Sequence, residues 1–283
     1  MMDLDFLTHL PAQRDLLARV LDWYGPDERV LGLMLYGSLA QGEGDEYSDI
    51  DLNVLVDTAW YSMVMVEASL AVENFGRVLY TMSGGRDELT QVYAYFDCHV
   101  KLDLDFMLPG QIGVYRERRN HRVFKDATGE LAAAVAHAAR LPKRFVPIPA
   151  DMPALDATFW MHCVDAASKA VRGELWRARS VVEQLRGEVL TCLAAWLDGR
   201  RPTGYRRIET RLSPELLAGW ENTVARPERT SILAAVAALI ICYTRLRDQV
   251  AQQLRLSFDF DPASEMLMRR RLIDLGVPLA QPA

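Results

Sequence analysis

The sequence predicts an α+β protein, in which a mixed β-sheet with flanking helices precedes a helical bundle. Three observations support this prediction. Short apolar or alternating runs separated by turn residues occupy the first half of the 283-residue chain, a proline-rich stretch follows at 141–153, and helical spacing dominates beyond it. A chain of this length can bury two cores, so we predict two domains, 1–145 and 146–283, joined at the prolines.

The first domain is predicted to combine helices with short strands. An apolar run ends abruptly at Gly37-Ser38, which is typical of a buried strand followed by a tight turn. Residues 49–54 alternate between polar and apolar side chains, as a strand with one buried face does. The predicted elements are helices at 13–23 and 64–70 and strands at 30–35, 49–54, 90–96 and 99–106.

The second domain is predicted to be a helical bundle. Its predicted helices are 155–171, 174–197, 214–224, 230–254 and a last one from Ser264. The longest apolar run, 232–243, is shorter than the roughly 18 residues that indicate a membrane span, so we interpret it as a buried helix. Because the chain also starts without the basic and apolar segments of a secretion signal, we expect a cytoplasmic protein with no membrane partner.

Charge and cysteine usage exclude several classes of function. Residues 1–145 hold 22 acids and 14 Lys or Arg, whereas the remainder holds 16 and 18. Such an acidic first half disfavours extended DNA or RNA as a partner, and the arginines at 116, 118, 119 and 122 lack interleaved aromatic residues for base stacking. The four cysteines are far apart in the sequence, which disfavours a zinc site or a disulfide framework.

One segment carries the residues expected to do chemistry. Gly37 allows a sharp turn off the first strand, and Ser38 offers a hydroxyl and an N–H group at the start of a helix, where anions are favoured. Asp49 and Asp51 are two residues apart on a strand, so they point the same way and invite a cation between them. Mg²⁺ prefers carboxylate oxygens together with substrate phosphates, so the pair is predicted to hold the metal against a nucleoside triphosphate (NTP) bound at Gly37-Ser38.

Gly37-Ser38 followed by Asp49-x-Asp51 resembles the hallmark of the DNA polymerase β-type nucleotidyltransferase superfamily. The wider stretch at 36–50 is similar to that of the two-domain lincosamide nucleotidyltransferases of antibiotic resistance. The chain has Asp at 51 and 103 where Glu is typical of the lincosamide type, so the acceptor stays open. The resemblance implies two Mg²⁺ ions and a third carboxylate on a neighbouring strand that acts as base or metal ligand.

Asp103 fits the position of that third carboxylate, with Asp105 on the same strand face as the alternative. Lys101 shares that face and is a candidate contact for the triphosphate. In the helical half, Arg177 is a candidate nucleotide contact, although Glu174 and Arg177, three residues apart on a helix, also suit a surface ion pair.

The expected activity is transfer of a nucleoside monophosphate from an NTP to a hydroxyl of a small molecule, with release of pyrophosphate. A lincosamide is the preferred acceptor, because the second half has no cluster of acids for a polycation and offers aromatic residues such as Phe159, Trp160, Trp176 and Tyr243. The alternatives are an aminoglycoside acceptor, a protein-nucleotidylating antitoxin and a catalytically silent binding module. The sequence leaves open the choice of NTP and whether the chain forms a homodimer.

Overall fold

The computed structural model describes residues 3–86, 89–112, 121–141, 145, 147, 151–255 and 262–280. The chain divides into two compact units, Met1–Leu141 and Pro142–Ala283, with the division inside the proline-rich stretch. The α+β class predicted from the sequence is confirmed: the strands lie in the first unit, and the second is helical.

The first unit is built on a six-stranded mixed sheet with the strand order β3-β4-β5-β2-β1-β6. Strands β2 and β5 pair in parallel, and the other neighbouring pairs are antiparallel. The strands are β1 (Val30–Tyr36), β2 (Ile50–Val56), β3 (Val78–Arg86), β4 (Leu89–Phe96), β5 (Lys101–Met107) and β6 (Arg122–Asp126). The helices are α1 (Pro11–Tyr24), α2 (Gly37–Gln41), α3 (Tyr61–Ala71) and α4 (Glu130–Arg140).

The two faces of the sheet differ because side chains alternate along each strand. Ile50, Leu52 and Val54 of β2 are fully buried in a core that includes residues of α1 and α3. The opposite face carries polar residues at the start of β2 and β5. Farther along this face, Met107 of β5 and Leu131 of α4 belong to a smaller apolar cluster that covers the sheet. This cluster does not include the polar residues at the start of the two strands.

The second unit is a set of helices around one apolar core. Its helices are α5 (Asp151–Val171), α6 (Leu175–Gln184), a π-helical turn (Leu185–Leu190), α7 (Thr191–Leu197), α8 (Ile208–Arg211), α9 (Pro214–Leu217), α10 (Arg229–Leu254) and α11 (Pro262–Asp274). Phe159 and Tyr243 stack within this core, with ring centroids 3.7 Å apart.

Helix α10 is long and apolar enough, by length and composition, to cross a membrane. About half of its apolar window is buried inside the unit. Ile232, Val236 and Leu239 are completely buried in the core. A core helix of this kind meets the same criteria as a membrane span, so the structure agrees with the interpretation of 232–243 as part of a buried helix.

Three elements of the first unit are missing from the sequence-based prediction: β3, β6 and α4. Strand β3 contains Gly84 and Gly85, which weaken strand propensity, and β6 is short and rich in charged residues. Both pair with a neighbouring strand, so tertiary contacts outweigh local preference. The predicted helix 174–197 also contains the π-helical turn, and most of 214–224 is not α-helical.

Candidate active site

The turn after β1 requires glycine for two reasons. Gly37 has φ +77°, in the left-handed region that other residues rarely adopt. A Cβ atom at this position would also overlap the Asp51 carboxylate. Ser38 follows directly in the short helix α2 and is largely buried. The backbone of the turn therefore lies against the second strand, with Asp51 at the point of closest approach.

The loop that leads into β2 is held by a residue that the sequence analysis did not single out. The Gln13 side chain of α1 is buried and donates hydrogen bonds to the backbone carbonyls of Asp45, Glu46 and Ser48, at 3.1–3.4 Å. The Ser48 hydroxyl in turn binds the Asp45 carboxylate at 3.0 Å. Gln13 thus helps to fix the chain immediately before Asp49, a role that only a long-range contact reveals.

The carboxylates of Asp51 and Asp103 are brought together by strand pairing. Asp51 on β2 and Asp103 on β5 are direct partners in the parallel register, so both side chains point to the same face of the sheet. Asp49 precedes β2 by one residue, and its side chain is about half exposed. The three predicted acidic residues therefore lie at one edge of the polar face.

A lysine lies between two of these acids. The Lys101 ammonium donates to Asp103 Oδ2 at 2.7 Å and to Asp49 Oδ2 at 3.4 Å. It also lies over the Tyr93 ring, 5.2 Å from the centroid. Lys101 therefore places a single positive charge between the carboxylates of Asp49 and Asp103.

The environment of this pair makes both groups hold a proton more tightly. Burial raises the pKa of Asp103 above its ordinary value despite the opposing hydrogen bond from Lys101, and the charges of Asp49 and Asp105 raise it further. Burial disfavours the charged form of Lys101, but the hydrogen bond and charge of Asp103, together with Asp49, leave its pKa raised. A proton is consequently retained more readily on Asp103 than on an exposed aspartate.

Asp105 has a different environment from Asp103 on the same strand. Its side chain is almost fully buried and accepts hydrogen bonds from the Tyr36 hydroxyl at 2.5 Å and from the Gln91 amide at 2.6 Å. One of these donors binds each carboxylate oxygen. Asp105 is therefore enclosed by neighbouring strands, whereas Asp103 lies beside Asp51 and Lys101.

The donor set fits a magnesium ion that is completed by substrate oxygens. Asp103 Oδ1 is buried and has no hydrogen-bond partner within the described part of the chain, so one oxygen of the site is unsatisfied. Among the described residues, no three His, Cys, Asp or Glu side chains form a complete metal-binding cluster. Mg²⁺ is usually held by one or two carboxylates plus phosphate oxygens, so this arrangement suits it.

Arg177 is the remaining nucleotide contact predicted from the sequence. Arg177 is exposed on α6, in the second unit, and Glu174 pairs with Arg172 at 3.2 Å. The proposed surface ion pair between Glu174 and Arg177 is therefore replaced by a shorter-range pair around the Gly173 turn. Of the arginine cluster, 116, 118 and 119 lie outside the described residues, and Arg122 stacks on the Phe6 ring at 3.8 Å.

No curated protein sequence matches this chain. Among solved structures, it is similar to an aminoglycoside 6-adenyltransferase from Bacillus subtilis, with 14% identity and a TM-score of 0.43, covering 93% of this chain and 97% of that one. It is also similar to a nucleotidyltransferase-like protein from Exiguobacterium sibiricum, with 12% identity and a TM-score of 0.40, covering 93% and 86%. The profile of the streptomycin adenylyltransferase family matches residues 11–268, nearly the whole chain. The chain therefore belongs to the streptomycin adenylyltransferase family and is a nucleotidyltransferase.

Proposed function

We propose that this enzyme transfers AMP from ATP to a hydroxyl group of an aminoglycoside antibiotic in the cytoplasm. The observation that carries the proposal is the family match, which spans both units, combined with the three carboxylates at one edge of the sheet. The family name supports ATP as the nucleotide, which the sequence motif alone left open.

The nucleotide is assigned to the turn after β1. Gly37 lets the backbone approach the triphosphate closely, and Ser38 offers its hydroxyl and N–H groups. Lys101, which is bound to two carboxylates, would contact the triphosphate once other cations neutralise those acids. Arg177 remains a candidate nucleotide contact from the second unit.

Asp49, Asp51 and Asp103 are assigned to two Mg²⁺ ions, on the donor chemistry described above. When bound, such ions neutralise charge on the phosphates during transfer. Asp103 is also assigned the base. It accepts the proton of the acceptor hydroxyl, whose oxygen forms a bond to the α-phosphorus, while the bond from that phosphorus to the pyrophosphate oxygen breaks.

The choice of acceptor depends on charge and on which aromatic residues are accessible. The lincosamide expectation relied on aromatic residues of the second unit, but Phe159, Trp160 and Tyr243 are buried in its core and only Trp176 is exposed. An aminoglycoside is a polycation, and the first 145 residues carry a net charge of −8. With the family match, these observations favour the aminoglycoside over the lincosamide.

The test is a competition experiment with purified enzyme. Streptomycin, kanamycin and lincomycin are mixed with ATP and Mg²⁺, pyrophosphate release is followed, and the products are analysed by mass spectrometry. We expect an AMP adduct on an aminoglycoside. An adduct on lincomycin alone would restore the lincosamide assignment, an adduct on a protein tyrosine would indicate the antitoxin, and nucleotide binding without pyrophosphate release would indicate a binding module.

A further inference from the structure

Asp105 is a buried carboxylate for which the proposed reaction has no direct use. Its side chain is 2% exposed, and both oxygens accept a hydrogen bond, one from Tyr36 and one from Gln91. Because it is enclosed and its oxygens are engaged, Asp105 cannot take the proton of a bound acceptor. Its hydrogen bonds must therefore serve something other than proton transfer.

The donors to Asp105 come from strands on both sides of β5. Tyr36 is the last residue of β1 and directly precedes Gly37, and its Cα position pairs with Asp51. Gln91 is on β4 and accepts a hydrogen bond from the Tyr93 hydroxyl at 2.5 Å. These contacts connect the end of β1 to β5 across β2, which separates the two strands in the sheet.

The hydrogen-bond network has Tyr36 at one end and Tyr93 at the other, and each of these residues adjoins a part of the candidate site. At one end, Tyr36 leads into the turn assigned to the triphosphate. At the other, the Tyr93 ring lies under Lys101, which holds Asp103. A shift of the Asp105 side chain would therefore change the spacing between the Gly37 turn and the Lys101–Asp103 pair.

We infer that Asp105 is a positioning residue, which sets the distance between the triphosphate turn and the Asp103 edge through Tyr36 on one side and Gln91 with Tyr93 on the other. The inference rests on the proposed adenylyl transfer and deepens it. Displacement of reacting groups by about 1 Å can lower a rate by roughly 100-fold, so a network remote from the chemistry can control turnover.

The first test removes one hydroxyl and keeps the ring. Tyr36→Phe should lower kcat by about tenfold and weaken binding of α,β-methylene-ATP with Mg²⁺, while the KM for the acceptor changes little. The matched control is Tyr61→Phe, which removes a tyrosine hydroxyl that binds β4 at Thr90 (3.2 Å) and β5 at the Phe106 carbonyl (3.3 Å). Tyr61→Phe should leave kcat and nucleotide binding unchanged.

The second test separates placement from charge and from bulk stability. Asp105→Ala should lower kcat per folded molecule by at least about tenfold. Asp105→Asn should restore it to within about threefold, because an amide can still accept from Tyr36 and can donate to Gln91 after that side chain turns over. A purely structural residue would lower the melting temperature without changing kcat per folded molecule.

The outcomes distinguish this inference from the proposed function. If the wild type transfers AMP and Tyr36→Phe matches it in both kcat and nucleotide affinity, the positioning role is wrong. An Asp105→Asn variant as slow as Asp105→Ala would also overturn it, since charge rather than hydrogen bonding would then be required. If the wild type binds the analogue but transfers to no acceptor, the proposed function fails, and the Tyr36→Phe and Tyr61→Phe affinities still test the network.

Discussion

Each unit contains a buried aspartate that accepts a hydrogen bond from a tyrosine hydroxyl at 2.5 Å. In the first unit Tyr36 donates to Asp105, and in the second Tyr243 donates to Asp156. The surroundings differ. The Arg247 guanidinium lies 3.4 Å from Asp156 and 2.8 Å from Glu265, so an arginine compensates the charge of buried Asp156 and of partly buried Glu265. In the first unit, Asp105 of the Tyr36–Asp105 pair is only two residues from Asp103 in the sequence.

Similar tyrosine–aspartate hydrogen bonds therefore stand in different electrostatic surroundings in the two units. In the second unit, Asp156 and Glu265 are paired with arginines among packed helices, where removal of one charged partner leaves a charge uncompensated. At the edge of the first unit, Asp49 and Asp103 share Lys101, and one oxygen of Asp103 has no partner among the described residues. This incomplete neutralisation supports the proposal that the edge binds a cation and a substrate.

The largest effect is expected at the two carboxylates of the Asp49-x-Asp51 motif, which are assigned to the metal. Asp49→Asn and Asp51→Asn should each lower transfer by about 10³-fold, because the carboxylates that hold the metal against the triphosphate are lost. Folding should be unaffected or slightly improved, since like charges are removed. Steady-state kinetics and thermal unfolding measure both effects.

The matched control for this pair is Asp57→Asn, which changes an acid directly after the other end of β2 and should retain full activity. Unchanged turnover in either site variant would contradict the assignment of the metal to this edge.

A smaller effect is expected at the proposed base. Asp103→Asn should lower kcat by about 10²-fold, the usual cost of losing a general base, while affinity for ATP changes less. The comparison with Asp105 sharpens the result, because Asp105→Asn is expected to stay within about threefold of the wild type. An inactive Asp105→Asn variant beside an active Asp103→Asn variant would exchange the two roles.

In the second unit, the expected effect is on stability. Arg247→Met should reduce the free energy of unfolding by about 3–5 kcal/mol, because buried Asp156 loses this ion pair, while partly buried Glu265 retains one with Arg269. Urea unfolding measures the change. Arg14→Met, which removes an exposed ion pair with Asp15, should cost less than about 1 kcal/mol. Equal losses in both variants would show that the buried network contributes no more than a surface pair.

The smallest effect is expected for the loss of stability at low pH. Burial opposes ionisation of Glu265, but the hydrogen bonds of Arg247 and Arg269 outweigh it and lower its pKa. A carboxyl with a lowered folded pKa stabilises the protein fully above the ordinary glutamate range, and this contribution is lost as the pH falls through it toward the lowered value. The free energy of unfolding, measured with urea from about pH 6 to pH 3, should therefore fall more steeply for the wild type than for Glu265→Gln.

The exposed Glu188→Gln serves as control for this experiment and should follow the wild type across the pH range. Parallel curves for the wild type and Glu265→Gln would mean that Glu265 titrates alike in the folded and unfolded chains.

The sequence by itself determined the fold class, most strands of the sheet and the residues of the motif. Gly37 and the Asp49-x-Asp51 pair could be recognised because their requirements are local: a left-handed turn, and two acids two residues apart at the start of a strand. Helix α10 was equally predictable, since its apolar residues follow each other along the chain.

The tertiary structure decided what depends on residues far apart in the sequence. The parallel register of β2 and β5 places Asp103 beside Asp51 and encloses Asp105, a difference that two acids in similar local sequence cannot reveal. Gln13 holds the loop before Asp49 over more than thirty residues of sequence. Strands β3 and β6 form because neighbouring strands supply their hydrogen bonds, which outweighs weak local propensity.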